Sequence, residues 1–527
     1  MAARFWVTGG TGNWNDTSNW SATTGGASGA SVPSTSDTAA FDASSGSGTA
    51  TLDISPTIQT LTCTGFTGTL AFGTNTISLN STGTIFTGAT TMTVTGTPLI
   101  ICTNSSATTR TIVTGLVTEA NSISFRVTAG TGSVGFTTNQ TAVRNLDFTD
   151  GVNPTGFAGA YGNGNNTIYG DFKASTGMTV TAGTGTVTFA ATSGTKTINT
   201  AGVTFDRPFT FNGVGGTWQL QAALTSGASR LTTLTAGTLN LNNYTLTTGT
   251  FSANNSNTRA LAFGTGKIVI TGNSGTVFTT SVGTGLTITG SKRVELAYSG
   301  STGTRIITGV QTASTIEGTN LLDYFVTAGS DIVTFTSSRS YATIDFSNSG
   351  AGTFTGTFTN STLNIYGDLT VKSGMTVGSG ALVTSFLATS GTKTITSASQ
   401  TMDFPITFNG VGGTWAMQDA LTLGSTQALT MTNGTLQLKS GTTNTVGSFA
   451  TSGATQKFLQ ATTNGSQATL SQASGTVNAT YLTIKDSAAT GGAVFNSFTS
   501  NANVNSGNNT GWKFGSANSA GGFLQFF

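Results

Sequence analysis

One long segment of this chain occurs twice, and that repetition limits the possible folds more than any single motif does. Leu70-Ala71-Phe72-Gly73-Thr74 returns as Leu261-Ala262-Phe263-Gly264-Thr265, and Gly237-Thr238-Leu239 returns as Gly434-Thr435-Leu436. Between these ends, Gly83-Thr84-Ile85-Phe86 matches Gly275-Thr276-Val277-Phe278, and Ile168-Tyr169-Gly170-Asp171 matches Ile365-Tyr366-Gly367-Asp368. The longest identity is Phe211-Asn212-Gly213-Val214-Gly215-Gly216-Thr217-Trp218, repeated at 408–415. The offset between matched positions drifts only from 191 to 197 residues, so one backbone path serves both copies with few insertions. A tandem duplication of a strand pattern lengthens a stacked β architecture, and length suits a structural element better than a catalyst.

The repeated material reads as strands. Runs such as Thr91-Met92-Thr93-Val94-Thr95 and Leu286-Thr287-Ile288-Thr289 alternate aliphatic residues with Thr, and Lys267-Ile268-Val269-Ile270-Thr271 is a short β-branched run. Period two of this kind predicts half-buried strands with Leu, Ile and Val facing inward and Thr or Asn outward. Clusters such as Ala253-Asn254-Asn255-Ser256-Asn257 break the runs into short pieces. A sustained 3.6-residue period with caps is nowhere found, so helix content is expected to be very small.

Two all-β architectures compete for such a chain. A string of sandwiches repeats about every 100 residues with domain boundaries, whereas a parallel β-helix coils strands into rungs of about 20 to 25 residues stacked about 4.8 Å apart. The near-constant offset, the uniform texture and the close-set Gly turns favour the second. The expected fold is an all-β, elongated parallel β-helix or solenoid built from a tandem duplication and trimeric. About 20 rungs would make a rod on the order of 100 Å long. Its divisions are an N-terminal cap at 1–59, copies at 60–250 and 251–447, a partial third copy with C-terminal cap at 448–514, and a linker with terminal peptide at 515–527. Open end rungs expose unpaired backbone groups, so caps are needed. Trp6, Trp14, Trp20 and Trp512 are the capping candidates, and Phe523, Leu524, Phe526 and Phe527 the candidates for docking against another subunit or a last turn.

Composition removes several functions. Charged residues make up 7% of the 527, against about 25% in an ordinary globular chain, and Gly numbers 72. With 33 Phe in alternating patterns the chain does not read as disordered. The net charge is +2 with basic residues scattered, so neither a nucleic-acid partner nor membrane insertion is expected. Neither a signal peptide nor a long apolar span is present at Met1-Ala2-Ala3-Arg4-Phe5-Trp6 or beyond, which predicts synthesis and assembly in the cytosol. Cys63 and Cys102 complete no metal set, and whether they pair is left open.

Chemistry is scarce. Histidine is absent, which removes Ser-His-Asp and Cys-His catalysis and imidazole metal sites. Carboxylate pairs remain the only route, and Glu119, Glu295 and Glu317 are the only glutamates. Asp147 recurs as Asp345, Asp171 as Asp368 and Asp206 as Asp403, which predicts turn or strand-end duties, since a catalytic groove need occur only once. Asp147 and Asp150 are the closest carboxylates in sequence, but Asn348 stands at the second position in the other copy. No cofactor, metal or catalytic residue is expected, and Trp218 and Trp415 read as core rather than as sugar platforms.

Three stretches carry a resemblance. Gly12-Asn13-Trp14, Asn19-Trp20, Val32-Pro33 and Asp37-Thr38-Ala39-Ala40-Phe41 resemble the opening of repetitive β-solenoid surface proteins. Gly237-Thr238-Leu239-Asn240-Leu241-Asn242-Asn243-Tyr244 looks like rungs of autotransporter passengers and large adhesins. Ile484-Lys485-Asp486-Ser487, Gly491-Gly492 and Asn508-Asn509-Thr510-Gly511-Trp512 are similar to the close of large structural proteins of tailed bacteriophages. The resemblance implies a non-enzymatic virion component on the particle surface, whether fibre, spike or capsid decoration. It implies a homotrimer contacting other virion proteins and, as a further partner, host-surface glycan. The alternatives are a glycan-binding or glycan-cleaving tailspike and a bacterial surface adhesin.

Overall fold

The structure, a computed structural model, describes residues 2–136, 141–311, 317 and 320–515. The chain divides into two compact units, with breaks after residues 268, 283 and 291. Each is a parallel β-solenoid, and together they supply about 20 turns. Short 3-10 turns such as Thr17–Asn19, Ala43–Ser45 and Thr499–Asn501 are the helical elements among the described residues. No helix among them is long and apolar enough to cross a membrane.

In the first unit one column of strands runs through Ala3–Trp6, Thr38–Ala40, Thr60–Thr62, Gly83–Thr87, Arg110–Val113 and Val134–Phe136. Neighbours pair in parallel with like facing like: Thr38 opposite Thr60, Leu61 opposite Phe86, Thr84 opposite Thr111. A second column contains Thr76–Leu79, Leu99–Cys102, Ile123–Val127, Thr141–Asp147 and Phe172–Lys173. Corners are turned inside single strands as well as in loops. Phe209–Leu220 pairs with Val187–Phe189 through its first residues and with Thr195–Asn199 through its last, and its register shifts around Asn212.

Alternation sends every second side chain inward, and the parallel register stacks like on like. Phe86, Phe125, Phe136 and Tyr161 form a chain of edge contacts with centroids 5.4, 6.4 and 6.1 Å apart. In the second unit Tyr324, Phe335 and Tyr341 do the same at 5.7 and 5.1 Å. Burying one such side chain stabilises by roughly 1.5–3 kcal/mol, against roughly 1–2 kcal/mol of backbone entropy for each residue ordered.

The two repeated segments adopt matching strands. Phe209–Leu220 and Ile406–Met417 are both 12 residues long, with burial patterns that differ only at Ala416. The ring pairs Phe189–Phe211 and Phe386–Phe408 both stack at 5.2 Å and 17°.

Trp6, Trp14 and Trp20 are wholly buried in the first turn. Trp6 meets Trp20 at 5.3 Å, Trp14 meets Trp20 at 4.9 Å, and Phe41 joins this cluster to Phe66 at 5.1 Å. Ala3–Trp6 pairs antiparallel with Trp20–Ser21, so the column ends in a two-residue strand rather than in a long open edge. Trp512 packs on Phe495 at 5.1 Å, and its Nε1 donates to Ser487 Oγ at 3.1 Å. Phe523, Leu524, Phe526 and Phe527 lie outside the described residues. Cys63 and Cys102 are free, buried thiols, and burial pushes the Cys102 pKa up to about 12.

Candidate functional site: a polar groove on the first unit

The carboxylates with a claim to chemistry are engaged by their own surroundings. Asp147 Oδ1 accepts from Thr149 N at 2.9 Å and Thr149 Oγ1 at 2.7 Å, while Oδ2 accepts from Arg126 Nε at 3.0 Å. Asp345 repeats this with Ser347 N and Oγ at 2.6 and 2.7 Å. Asp171 Oδ1 accepts from Thr197 N at 2.7 Å, and Asp368 Oδ1 from Thr394 N at 2.6 Å. Asp206 accepts from Arg230 Nε at 2.6 Å, and Asp403 from Gln427 Nε2 at 3.2 Å. Asp150 closes its own turn, accepting from Val152 N at 2.8 Å and Asn153 N at 2.6 Å. The Asn153 side chain and these backbone donors hold its carboxyl below the usual range, the opposite of what a general acid requires. Asp147 and Asp150 therefore accept from different donors, Asp147 from Thr149 and Arg126 and Asp150 from Val152 and Asn153.

Trp218 and Trp415 are fully buried, out of reach of a ligand ring. Among the described residues no three His, Cys, Asp or Glu side chains gather as a metal set.

A groove crosses the outer face of the second column in the first unit. It encloses about 380 Å³ and is lined among others by Leu99, Arg126, Arg144, Asn145, Asp147 and Lys173. Register explains the gathering: Ile101 lies opposite Arg126, Arg126 opposite Asp147, and Asp147 opposite Lys173, all in parallel pairs. Parallel register thus converts four distant positions into one outward row, with Arg126 and Lys173 flanking the carboxylate. A bulge adds to it. The register shifts between Ile123 and Phe125, so that Val143 and Leu146 are both buried with two residues, Arg144 and Asn145, between them. An extra residue of this kind re-aims side chains. Asn145 Nδ2 donates to Ser124 Oγ at 3.2 Å, and its Oδ1 accepts from Asp171 N at 2.8 Å.

A neighbouring concavity of about 500 Å³ shares Arg144, Asn145 and Asp171 and adds Glu119, Tyr169 and Lys196. Glu119 Oε2 accepts from Thr192 N and Oγ1 at 3.0 and 2.6 Å, and Tyr169 Oη donates to Val117 O at 3.0 Å. The groove's carboxylates are thus held by internal donors. Lys173 is exposed, and Arg144 makes one long bond, Nη2 to Ala120 O at 3.4 Å.

None of these cations is a candidate on sequence reasoning, which sees the basic residues as scattered. The available signal is a difference between copies: Arg144 and Lys173 flank recurring aspartates, yet the same positions in the second copy are Ala342 and Thr370.

No family model, curated protein or solved structure matches the chain.

Proposed function

We propose that the chain is a non-enzymatic structural component of a tailed-phage virion, a fibre, spike or capsid decoration that grew by tandem duplication and assembles as a homotrimer with other virion proteins. The observation that carries the non-enzymatic part is the engagement of Asp147, Asp171 and Asp206, and of their copies, by nearby donors of the same solenoid. The virion assignment rests on the resemblance of the two ends and of the rungs to such proteins. Copurification with density-banded phage particles, located by antibody labelling on the particle, is the expected result. Recovery only from a bacterial surface fraction would favour an adhesin instead. Light scattering of the full chain should give three times the 53.1 kDa monomer mass. A second reading, a glycan-binding tailspike, is favoured by one observation, the cation-lined groove of the first unit.

A further inference from the structure

We infer that the groove crossed by Leu99, Arg126, Arg144 and Lys173 is a binding site for an acidic oligosaccharide, one that carries carboxylate or sulfate groups. The inference deepens the glycan-binding reading, and it holds or fails independently of where the protein resides.

Charge density is the first ground. With only 7% of residues charged, five charged side chains on one concave face are not the background of this surface; Asp147 is taken up by Arg126 and Asp171 by Thr197, which leaves Arg144 and the exposed Lys173 to meet a ligand. The bulge in Thr141–Asp147 presents Arg144 there, and the pairing of Asp147 with Lys173 aligns the third cation with the first two.

The second unit supplies an internal comparison. Its corresponding rungs keep the aspartates, since Asp345 lies opposite Phe325 as Asp147 lies opposite Arg126. The cations are replaced by Phe325, Ala342 and Thr370. Arg293, at the register position of Leu99, lies over the Phe325 ring at 3.7 Å and bonds Glu295 at 2.7 Å. The solenoid thus builds these rungs without Arg144 or Lys173, and folding alone does not account for those two, whereas Arg126 also serves Asp147.

Chemistry then selects the ligand. Cations pair with acidic groups, Arg in a fork that matches carboxylate or sulfate geometry. Asn145 has a second amide N–H beyond the one given to Ser124, suited to a hydroxyl, and Pro98 and Leu99 offer an apolar patch for the C–H face of a sugar ring. The volume lies within the range of about 300–1,000 Å³ usual for small-ligand sites. Because the adjoining concavity shares Arg144 and Asn145, the site is elongated, which fits a chain of sugar residues better than a single anion.

The test is calorimetric titration of the full chain with a galacturonic acid oligomer, a heparin oligomer and neutral maltohexaose. Binding of at least one acidic probe and none of the neutral one is expected, and the preferred acidic probe tells carboxylate from sulfate. Arg144→Gln and Lys173→Gln should each weaken binding by about tenfold, the worth of one charged hydrogen bond. Leu99→Trp should abolish it by filling the groove with every cation intact. Lys439→Gln, an exposed lysine of the second unit, should leave it unchanged. Circular dichroism of each variant verifies the fold. Absence of binding at millimolar acidic probe, equal affinity in the Leu99→Trp protein, or tighter binding of a single-stranded oligothymidylate would overturn the proposal.

Discussion

Four arginines, Arg110, Arg207, Arg259 and Arg305, are among the largest fully buried side chains of a chain that has few charges at all. Turn carbonyls at solenoid corners have no place in the ladder, and a buried carbonyl without a donor is costly. A guanidinium supplies five donors at one point. Arg110 Nη1 donates to Asn104 O at 3.0 Å and Ala129 O at 2.9 Å, and Arg207 reaches Gly185 O at 2.8 Å and Gly162 O at 2.7 Å. Arg259 Nε donates to Ala253 O at 2.9 Å. Burial lowers the pKa of Arg110 and of Arg259 from the usual arginine value. Arg305 instead takes a carboxylate, donating from Nη2 to Asp331 Oδ1 at 2.6 Å and from Nε to Oδ2 at 2.8 Å, with both side chains fully buried. Asp331→Asn should therefore destabilise by about 3–5 kcal/mol in chemical denaturation, because it strands a buried cation. Arg305→Met combined with Asp331→Leu should recover most of that loss; equal destabilisation by the double variant would show that the pair does more than satisfy itself. Backbone approach sets a second residue-scale limit. A Cβ on Gly213 would sit 1.9 Å from Ala191 O, and one on Gly410 would sit 1.8 Å from Ala388 O, while one on Gly135 meets nothing within 4 Å. Gly213→Ala and Gly410→Ala should each cost about 1–3 kcal/mol or more, and Gly135→Ala should be tolerated.

At the scale of elements, each unit has a strap of its own that joins a loop to a later turn of the same unit. Glu119 accepts from Thr192, 73 residues away, and Glu317 accepts from Thr389, 72 residues away. Lys393 Nζ adds an ion pair to Glu317 at 3.6 Å. Burial alone would raise the Glu317 carboxyl, but the Thr389 hydroxyl and amide and the Lys393 ammonium outweigh it and hold the pKa below the ordinary 4.5. The folded state then binds fewer protons than the unfolded chain between that lowered value and 4.5, so the strap's contribution is complete above pH 4.5 and fades as pH falls through the folded pKa. Glu317→Gln should lower the melting midpoint at neutral pH and narrow its gap to the parent protein as the solution is acidified; a gap that widens in acid would sink this account. The strap shows what is legible in a sequence of this kind and what is not. Alternation in Thr93-Val94-Thr95 or Leu286-Thr287-Ile288-Thr289 reveals strands because burial on one face is a local pattern. Asp147 and Asp345 read as turn carboxylates because their donors, Thr149 and Ser347, stand two residues on, whereas Asp171 and Asp206 take donors from the next turn, 26 and 24 residues on. Glu119 and Glu317 are opaque because their partners lie about three turns away, 73 and 72 residues along the chain, and no local period records a stack. Three of the four buried arginines are within reach of the sequence, since Thr109-Arg110, Thr258-Arg259 and Thr304-Arg305 place the same dipeptide where a strand opens; Arg207, between Asp206 and Pro208, carries no such mark.

For the whole molecule, salt separates what holds the fold from what the groove would hold. With 7% of residues charged, stability rests on stacked inward side chains and strand ladders, neither of which depends on ionic strength to first order. A buried pair such as Arg305–Asp331 is shielded from counterions, and a partly exposed one such as Arg230–Asp206 contributes little. Raising NaCl from about 0.05 M to about 1 M shortens the screening length to about 3 Å, so exposed attractions across the surface are lost. The melting midpoint should move by no more than a few degrees over that range; a shift of tens of degrees would mean that surface charges hold the solenoid together after all. The same titration should act strongly on the groove. Arg144 and Lys173 are accessible, and their attraction for an acidic sugar is of the screened kind, so acidic-oligosaccharide affinity should fall steadily across the range in which the melting curve stays still. Parallel behaviour of the two readouts would place ligand and fold under one electrostatic control and contradict the separation of scaffold from site, whereas divergence would locate what little functional charge the chain carries in the first unit's groove.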